Sequence, residues 1–213
     1  MSTKIIMVRH GFSIANEESK FAGHWDIDLT ELGKLQAQKA GAYFKAHPVD
    51  AIYSSDLLRA YHTATPIGEA LGLPVHKDTG LREIDAGEWE GITFEEMGVR
   101  YPEEAALWVQ DIGRSGCPGG ETVKELVARI EGAVRRIAEQ HDGQTVCITT
   151  HATPIRALCT VASGTPVEDM VKVPWAANAS LNIFEYENST FKAIELDITE
   201  HLGDLLTKLP ANV

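Results

Sequence analysis

Short apolar runs alternate along the chain with longer segments whose apolar positions recur at helical spacing. Residues 4–8, 51–53 and 145–149 are strand candidates, and the last of these is almost continuously apolar, as in a strand covered on both faces. Residues 181–186 and 191–196 are separated by a short polar turn, which predicts a β-hairpin. The alternation predicts an α/β domain with a largely parallel sheet.

Three longer segments have the apolar spacing of helices, at residues 30–46, 56–71 and 121–140. Thr30 is a suitable N-cap for the first helix, and Asp56 is the expected N-cap of the second. Pro66 lies inside the second helix and has no N–H to donate, so we expect a kink or break near Ala64.

The sequence shows no sign of a boundary between domains. The sequence contains no repeat, low-complexity tract or Pro/Gly/Ser-rich linker, so we expect a single domain over residues 1–213. Residues 93–120 have no strand pattern, which predicts a helical lid or insertion at about 92–120, over one end of the sheet.

Composition and charge limit the possible partners. The 19 Lys and Arg against 31 Asp and Glu give a net charge of −12, which repels polyanions, so we expect neither nucleic acid nor an anionic membrane as a partner. No apolar run is long enough for a signal peptide or a transmembrane helix. The three cysteines have no C-x-x-C spacing, which favours a cytoplasmic location, and we expect a monomer or a homodimer.

Cationic and imidazole side chains follow three of the predicted strands. Arg9 and His10 come directly after the first strand, Arg59 lies in the first turn of the helix after the second, and His151 follows residues 145–149. Ligands of open α/β sheets bind beyond the carboxyl ends of the strands. The four side chains therefore predict an anion site, and arginine forks match phosphoryl oxygens well. A neutral imidazole is a suitable nucleophile toward phosphorus, but either histidine fits that role.

Several motifs in the same order resemble the histidine phosphatase superfamily, in its branch with an Arg-His-Gly motif. They are residues 9–11 (RHG), 54–60 (SSDLLRA), 81–84 (LREI), 87–91 (GEWEG) and the later His151. The resemblance spans residues 4 to about 185 and implies a three-layer α/β/α sandwich like that of phosphoglycerate mutase. The histidine mechanism needs no metal and no other cofactor, so activity is expected to survive EDTA.

The resemblance also assigns the two reacting groups. It makes His10 the nucleophile that becomes phosphorylated and Glu83 the proton donor to the leaving oxygen. General acid–base work of this kind contributes about 10² to 10⁴ in rate. Three other acidic side chains, Asp85, Glu88 and Glu90, lie close to Glu83 in the sequence, and local grounds alone do not separate them from it.

The phosphate-binding residues implied by the resemblance surround the nucleophile. They are Arg9, Gly11, Asn16, Arg59, His151 and Ala152. A glycine after His10 lets the backbone approach a ligand closely. At residue 152 the sequence departs from the family, which usually has glycine there; alanine keeps the N–H but tolerates fewer conformations.

Both phosphatases and mutases occur on this scaffold, so the choice depends on the lid. A mutase holds a bisphosphate and a carboxylate and needs extra cations. Residues 92–112 carry five acidic side chains and only one arginine, with Phe94, Met97, Tyr101 and Trp108 as marked apolar positions. This composition predicts a phosphomonoesterase for small monoesters with a neutral or apolar leaving group. A cofactor-dependent phosphoglycerate mutase is the alternative.

Two other classes compete with this hypothesis. Asp26-Ile27-Asp28-Leu29-Thr30 fits the D-x-D-x-T signature of aspartyl-phosphate phosphatases, but no apolar strand precedes it and Thr30 is better explained as a helix cap. The C-x5-R signature of cysteine phosphatases is absent. A non-enzymatic binding domain that keeps the anion pocket is disfavoured because the complete set of reacting residues is present.

Overall fold

A computed structural model describes residues 1–208 and contains a six-stranded sheet of order β3-β2-β4-β1-β5-β6. The strands are β1 (Thr3–Arg9), β2 (Ala51–Ser54), β3 (Val75–Lys77), β4 (Thr145–Thr150), β5 (Leu181–Glu187) and β6 (Thr190–Ile198). β1, β2, β3 and β4 pair in parallel, whereas β5 and β6 form an antiparallel hairpin on β1. The predicted strands, the hairpin and the mostly parallel sheet are confirmed.

Helices cover both faces of the sheet. They are α1 (Ile14–Glu17), α2 (Glu31–Ala46), α3 (Leu58–Leu71), α4 (Phe94–Arg100), α5 (Pro102–Gln110), α6 (Val123–Gln140) and α7 (Ala152–Ala162). One core lies between the sheet and the α2–α3 pair, and a second lies between the sheet and the α6–α7 pair. The predicted three-layer α/β/α sandwich is therefore confirmed.

Strand β1 shows how the sheet separates the two cores. Its alternate side chains Ile5 and Met7 pack on the α6–α7 face, while Ile6 and Val8 pack on the α2–α3 face. All four are nearly inaccessible to solvent, as expected of a parallel strand with helices on both sides. This double burial holds the end of β1, where the candidate chemistry begins, in a fixed position.

The start of α3 differs from the sequence prediction. Leu57, not Asp56, is the N-cap residue, and its side chain makes no capping bond. The carboxylate of Asp26 instead accepts the N–H of Leu58 at 2.7 Å. The carboxylate of Asp56 instead accepts a hydrogen bond from Nε of Arg82 at 2.7 Å. The cap thus comes from a residue distant in sequence, which local spacing does not reveal.

Pro66 does not interrupt α3, so of the kink or break expected near Ala64, the break is wrong. The helix continues from Leu58 to Leu71 and ends at Gly72, which has a positive φ. Pro66 packs closely against Gly41 of α2, where an added Cβ would lie 2.8 Å from the Pro66 carbonyl oxygen. The helix thus accommodates a proline, which cannot donate a backbone hydrogen bond, at a position packed tightly against α2.

The other boundaries follow the pattern with small corrections. Thr30 caps α2 by accepting the Gly33 N–H at 3.1 Å, as predicted. The long helix α6 begins at Val123 rather than residue 121, because Thr122 is the N-cap and Glu121 binds Arg129. The edge strand β3 was missed, since it has three residues and no buried position.

Residues 92–120 contain α4, α5 and a short 3₁₀ turn, and no strand is assigned within them. The last five residues of the predicted single domain, 209–213, lie outside the described part of the chain. Over residues 1–208, none of the helices has both the length and the apolar character required to cross a membrane.

Candidate active site

The carboxyl ends of β1, β2 and β4 meet at one place. β4 lies between β1 and β2. Its last residues also accept hydrogen bonds from the residues that directly follow β1 and β2. Thr150 accepts the N–H of His10 at 2.8 Å, and Thr149 accepts the N–H of Ser55 at 2.9 Å. Residues 10, 55 and 151 consequently leave the sheet side by side, although they are far apart in sequence.

His10 is oriented by its own loop. Its Nδ1 lies 2.8 Å from the carbonyl oxygen of Gly11, which can only accept a hydrogen bond, so the proton of a neutral ring is on Nδ1 and Nε2 has a free lone pair. Burial, followed by the charges of Arg59 and Arg9, holds the pKa of His10 well below its ordinary value of 6.5. Burial and these charges therefore favour the neutral ring, in which Nε2 keeps its lone pair.

Two buried guanidinium groups flank His10. Arg59 donates from Nη1 to the Trp25 carbonyl at 2.9 Å and from Nη2 to the Gly23 carbonyl at 2.7 Å. Arg9 donates from Nη1 to the Ala176 carbonyl at 2.7 Å. Burial lowers the pKa of each arginine to about 10, so both remain charged near neutrality. Three backbone carbonyls on two separate loops thus fix the two cations in place.

His151 lies beside His10 with its ring in an edge-on orientation. The two ring centroids are 5.2 Å apart and the planes are inclined by 61°. His151 is fully buried, and its Nε2 lies 2.8 Å from Ser55 Oγ. Burial, followed by the charge of Arg59, holds its pKa well below the ordinary value. Ser55 has no sequence signal for this contact, because only the sheet order brings it to His151.

Three buried nitrogen atoms of this cluster have no hydrogen-bond partner within the described residues. They are Arg9 Nε, Arg59 Nε and His151 Nδ1. Unpaired buried donors cost free energy unless a ligand satisfies them. Each of these nitrogens can carry a proton, so the group is complementary to an anion with several acceptor oxygens.

Arg9, His10 and Arg59 line one cavity. Asn16 lines it as well, and its side chain is held in a fixed orientation. Its Oδ1 lies 3.1 Å from the Ser13 N–H, 3.0 Å from Ser13 Oγ and 3.1 Å from Asn178 Nδ2. With its oxygen so engaged, the amide presents Nδ2 as the donor. Asn178 was missed in the sequence, since it lies more than a hundred positions later in the chain and has no motif of its own.

Glu83 is the acidic side chain that enters this cavity. Its Oε1 accepts the Ile84 N–H at 2.9 Å, and its carbonyl accepts hydrogen bonds from both His24 and Arg129. The three neighbouring acids point elsewhere: Asp85 accepts the Gly87 N–H, Glu88 accepts the Tyr101 hydroxyl and Glu90 accepts the His24 N–H. The structure thus separates four carboxylates that the sequence left equivalent.

Gly11 and Ala152, the two backbone positions expected to contact phosphate, differ in their surroundings. Ala152 lines the cavity at the start of α7. The N–H of Gly11 donates to Thr63 Oγ1 at 3.0 Å. An added Cβ at Gly11 would lie 2.5 Å from the Gly33 carbonyl oxygen. The close approach that requires glycine here is to Gly33 of α2.

Aromatic side chains form much of the wall of the cavity. Phe94 and Trp108 come from the predicted lid, whereas Phe21 and Trp175 come from loops that the sequence analysis did not highlight. Phe21 packs edge-on against Trp108 with centroids 5.1 Å apart. Besides the two arginines, Lys20 is the cation that lines the described cavity, and it pairs with Glu18 at 2.7 Å.

The aspartyl-phosphate signature at residues 26–30 does not form a site. Asp26 caps α3, Asp28 pairs with His62 at 2.7 Å and Thr30 caps α2. None of these residues lines the cavity that contains His10. Over residues 1–208 no cluster of three or more His, Cys, Asp or Glu side chains is arranged to hold a metal ion.

Comparisons with known proteins point to one family. A sequence model of the histidine phosphatase superfamily (branch 1) matches residues 5–199. Phosphoserine phosphatase 1 of Hydrogenobacter thermophilus is 35% identical over 94% of this chain and 95% of its own length. Among solved structures, YhfR of Bacillus stearothermophilus aligns with a TM-score of 0.89 at 30% identity, covering 94% of this chain and 99% of the other. A mycobacterial glucosyl-3-phosphoglycerate phosphatase in complex with VO3 gives 0.85 at 30% identity, covering 92% and 98%.

Proposed function

The chain belongs to branch 1 of the histidine phosphatase superfamily and is a phosphoric monoester hydrolase, and we propose that His10 carries the phosphoryl group between ester and water. The observation that supports this most directly is the orientation of His10. Its Nδ1 donates to Gly11, its Nε2 is free, and two charged arginines lie beside it. A neutral nucleophile next to fixed cations is the arrangement that phosphoryl transfer requires.

In the first step, Nε2 of His10 attacks phosphorus and the bond from phosphorus to the ester oxygen breaks. Arg9 and Arg59 neutralise the phosphoryl oxygens, over which charge is spread in the transition state, and the amide of Asn16 donates a hydrogen bond to them. Glu83 gives its proton to the leaving oxygen, which departs as an alcohol. The product is a phosphohistidine at residue 10.

In the second step, Glu83 acts in the opposite sense. It takes a proton from a water molecule, whose oxygen attacks phosphorus while the bond from Nε2 to phosphorus breaks. His10 returns to its neutral form, inorganic phosphate leaves, and Glu83 is protonated again for the next ester. Every bond and proton is accounted for by His10, Glu83 and water, so the cycle as proposed requires no metal ion.

The leaving group is proposed to be small and neutral or apolar. Phe21, Phe94, Trp108 and Trp175 supply apolar surface next to the phosphoryl site, which favours an organic group that gives up water on binding. Lys20 is already paired with Glu18, so the wall offers few cations for a second phosphate. This composition argues against mutase activity, which has to hold a bisphosphate.

The names of the relatives suggest which monoesters to assay. Phosphoserine and glucosyl-3-phosphoglycerate are the substrates implied by the names of two similar proteins. We propose a small-molecule monoester as the partner of this chain, in a monomer or homodimer. A cytoplasmic location is proposed on the basis of three cysteines that are buried and unpaired.

A substrate panel tests this function. Phosphate release would be measured from aryl, alkyl, amino-acid and sugar monoesters in the presence of EDTA, together with mutase activity on 3-phosphoglycerate. We expect hydrolysis without added metal, the highest kcat/KM for uncharged leaving groups and no mutase turnover. The His10→Ala variant is the control for contaminating phosphatase. Robust bisphosphoglycerate-dependent mutase turnover, or full loss of activity in EDTA, would contradict the proposal.

A further inference from the structure

Ser55 and His151 form a buried pair directly beside His10. Neither residue is accessible to solvent, and Ser55 Oγ lies 2.8 Å from His151 Nε2. The other ring nitrogen, Nδ1, is buried and has no partner within residues 1–208. One side of the imidazole is therefore fixed by the protein, while the other is left for a group that enters the site.

The position of a single proton determines what His151 offers. Burial and the charge of Arg59 keep the ring neutral, so it has one N–H and one lone pair. With the proton on Nδ1, the unpaired nitrogen can donate to a phosphoryl oxygen. With the proton on Nε2, the same nitrogen presents a lone pair that repels that oxygen.

The surroundings of Ser55 favour its hydroxyl as a donor. Its backbone N–H is bound to Thr149, which holds the residue against the end of β4. Its Oγ lies 3.4 Å from the backbone nitrogen of Leu57, an N–H that can only donate. Because Oγ accepts on that side, the hydroxyl hydrogen is available for His151 Nε2.

We propose that Ser55 is a positioning residue whose hydroxyl donates to His151 Nε2 and thereby keeps the ring proton on Nδ1. His151 is then a ready-made donor to the phosphoryl group beside His10. The catalytic value of this donor rests on the function proposed above, whereas the tautomer itself does not.

The rings of His10 and His151 would then both carry the proton on Nδ1, but one would use its free nitrogen to attack and the other would use its N–H to donate. Gly11 accepts from Nδ1 of His10 and leaves Nε2 free to attack phosphorus. Ser55 donates to Nε2 of His151 and leaves Nδ1–H free to bind oxygen. A carbonyl acceptor beside one ring and a hydroxyl donor beside the other are sufficient to give identical side chains different tasks.

Nitrogen NMR tests the tautomer directly. Long-range ¹H–¹⁵N spectra of the ligand-free protein at pH 7 distinguish protonated from unprotonated ring nitrogens, and the His151→Gln variant assigns the signals. We expect a protonated Nδ1 in the wild type and a shift of the proton toward Nε2 in Ser55→Ala. A wild-type His151 with its proton on Nε2 would overturn the proposal, and this outcome does not depend on how any variant folds.

Kinetics test the consequence. Ser55→Ala is expected to lower kcat for an aryl phosphate and the affinity for vanadate by about 10-fold each, the effect of one lost hydrogen bond. Ser55→Thr, which keeps the hydroxyl, should restore both. The matched control is Ser54→Ala, since Ser54 is equally buried but donates to the Ser55 carbonyl instead of to a histidine.

The outcomes separate the two proposals. Wild-type vanadate affinity in Ser55→Ala, or an equal loss in Ser54→Ala, would contradict the positioning role of Ser55. An Nδ1–H tautomer in a wild-type protein that hydrolyses no monoester would leave the tautomer assignment intact and refute the proposed function.

Discussion

The environment of His10, more than the residue type, makes it suitable as a nucleophile. The chain has eight histidines, and His10 is one of two that the structure buries beside fixed arginines. Burial and those cations disfavour the imidazolium form, so the lone pair on Nε2 is available near neutral pH. The same effect makes the folded state sensitive to acid.

The pKa shift of His10 predicts a pH-dependent contribution to stability. In the unfolded chain a histidine binds a proton near pH 6.5, whereas folded His10 does not, so the unfolded state gains protons as the pH falls. The free energy of unfolding should fall by about 1 kcal/mol from this residue alone between roughly pH 7.5 and 5.5. Urea unfolding of the wild type and of His10→Asn at both pH values measures the difference.

The comparison with His10→Asn isolates the contribution of His10 to the pH dependence, because all other titrating groups are present in both proteins. The decrease in stability on acidification should be smaller in His10→Asn than in the wild type. An identical decrease in the two proteins would mean that His10 is protonated in the fold, and the account of its nucleophilicity would then fail.

Among the secondary-structure elements, the contact between the loop after β1 and the first turn of α2 is critical for the site. Phe12 accepts the Thr30 N–H at 2.9 Å, and the loop passes directly over Gly33. A Cβ on Gly33 would lie 2.1 Å from the Phe12 carbonyl oxygen. Both partners at this contact are backbone atoms, so neither side can move aside easily.

The Gly33→Ala variant tests this contact. We expect a loss of about 3 kcal/mol or more in the free energy of unfolding, since the added methyl forces two backbone segments apart. The matched control is Gly132→Ala in the middle of α6, where an added Cβ meets nothing within 4 Å. That change should stabilise the protein by about 0.5–1 kcal/mol. Denaturant unfolding compares them, and equal effects would contradict the packing argument.

Elements were predictable from sequence where local pattern and tertiary packing agree. The apolar run of β4 and the Thr30 cap of α2 were identified because the causes lie within a few residues. The cap of α3 was misassigned because Asp26 supplies it from another loop. The helix α3 continues through Pro66, which packs against Gly41 of a neighbouring helix, and no local sequence signal indicates that contact.

In the whole molecule, the sheet order collects residues from distant parts of the chain into one cavity. The resemblance pointed to His10, Arg9, Arg59, Glu83 and His151, because each belongs to a motif. Ser55, which contacts His151, and Asn178, which contacts Asn16, belong to no such motif and meet these partners only in the folded chain. The aromatic wall has the same origin, since half of it comes from outside the predicted lid.

Trapping the covalent intermediate tests the central claim most directly. The Glu83→Gln variant would be mixed with a ³²P-labelled aryl phosphate, whose good leaving group needs little protonation, and quenched in alkali, in which phosphohistidine is stable. Water attack requires the base, so label should accumulate on the peptide that contains His10. The wild type should show less label, and His10→Ala should show none and lose activity by a factor on the order of 10⁴ or more. Label on another residue, or full activity in His10→Ala, would contradict the account.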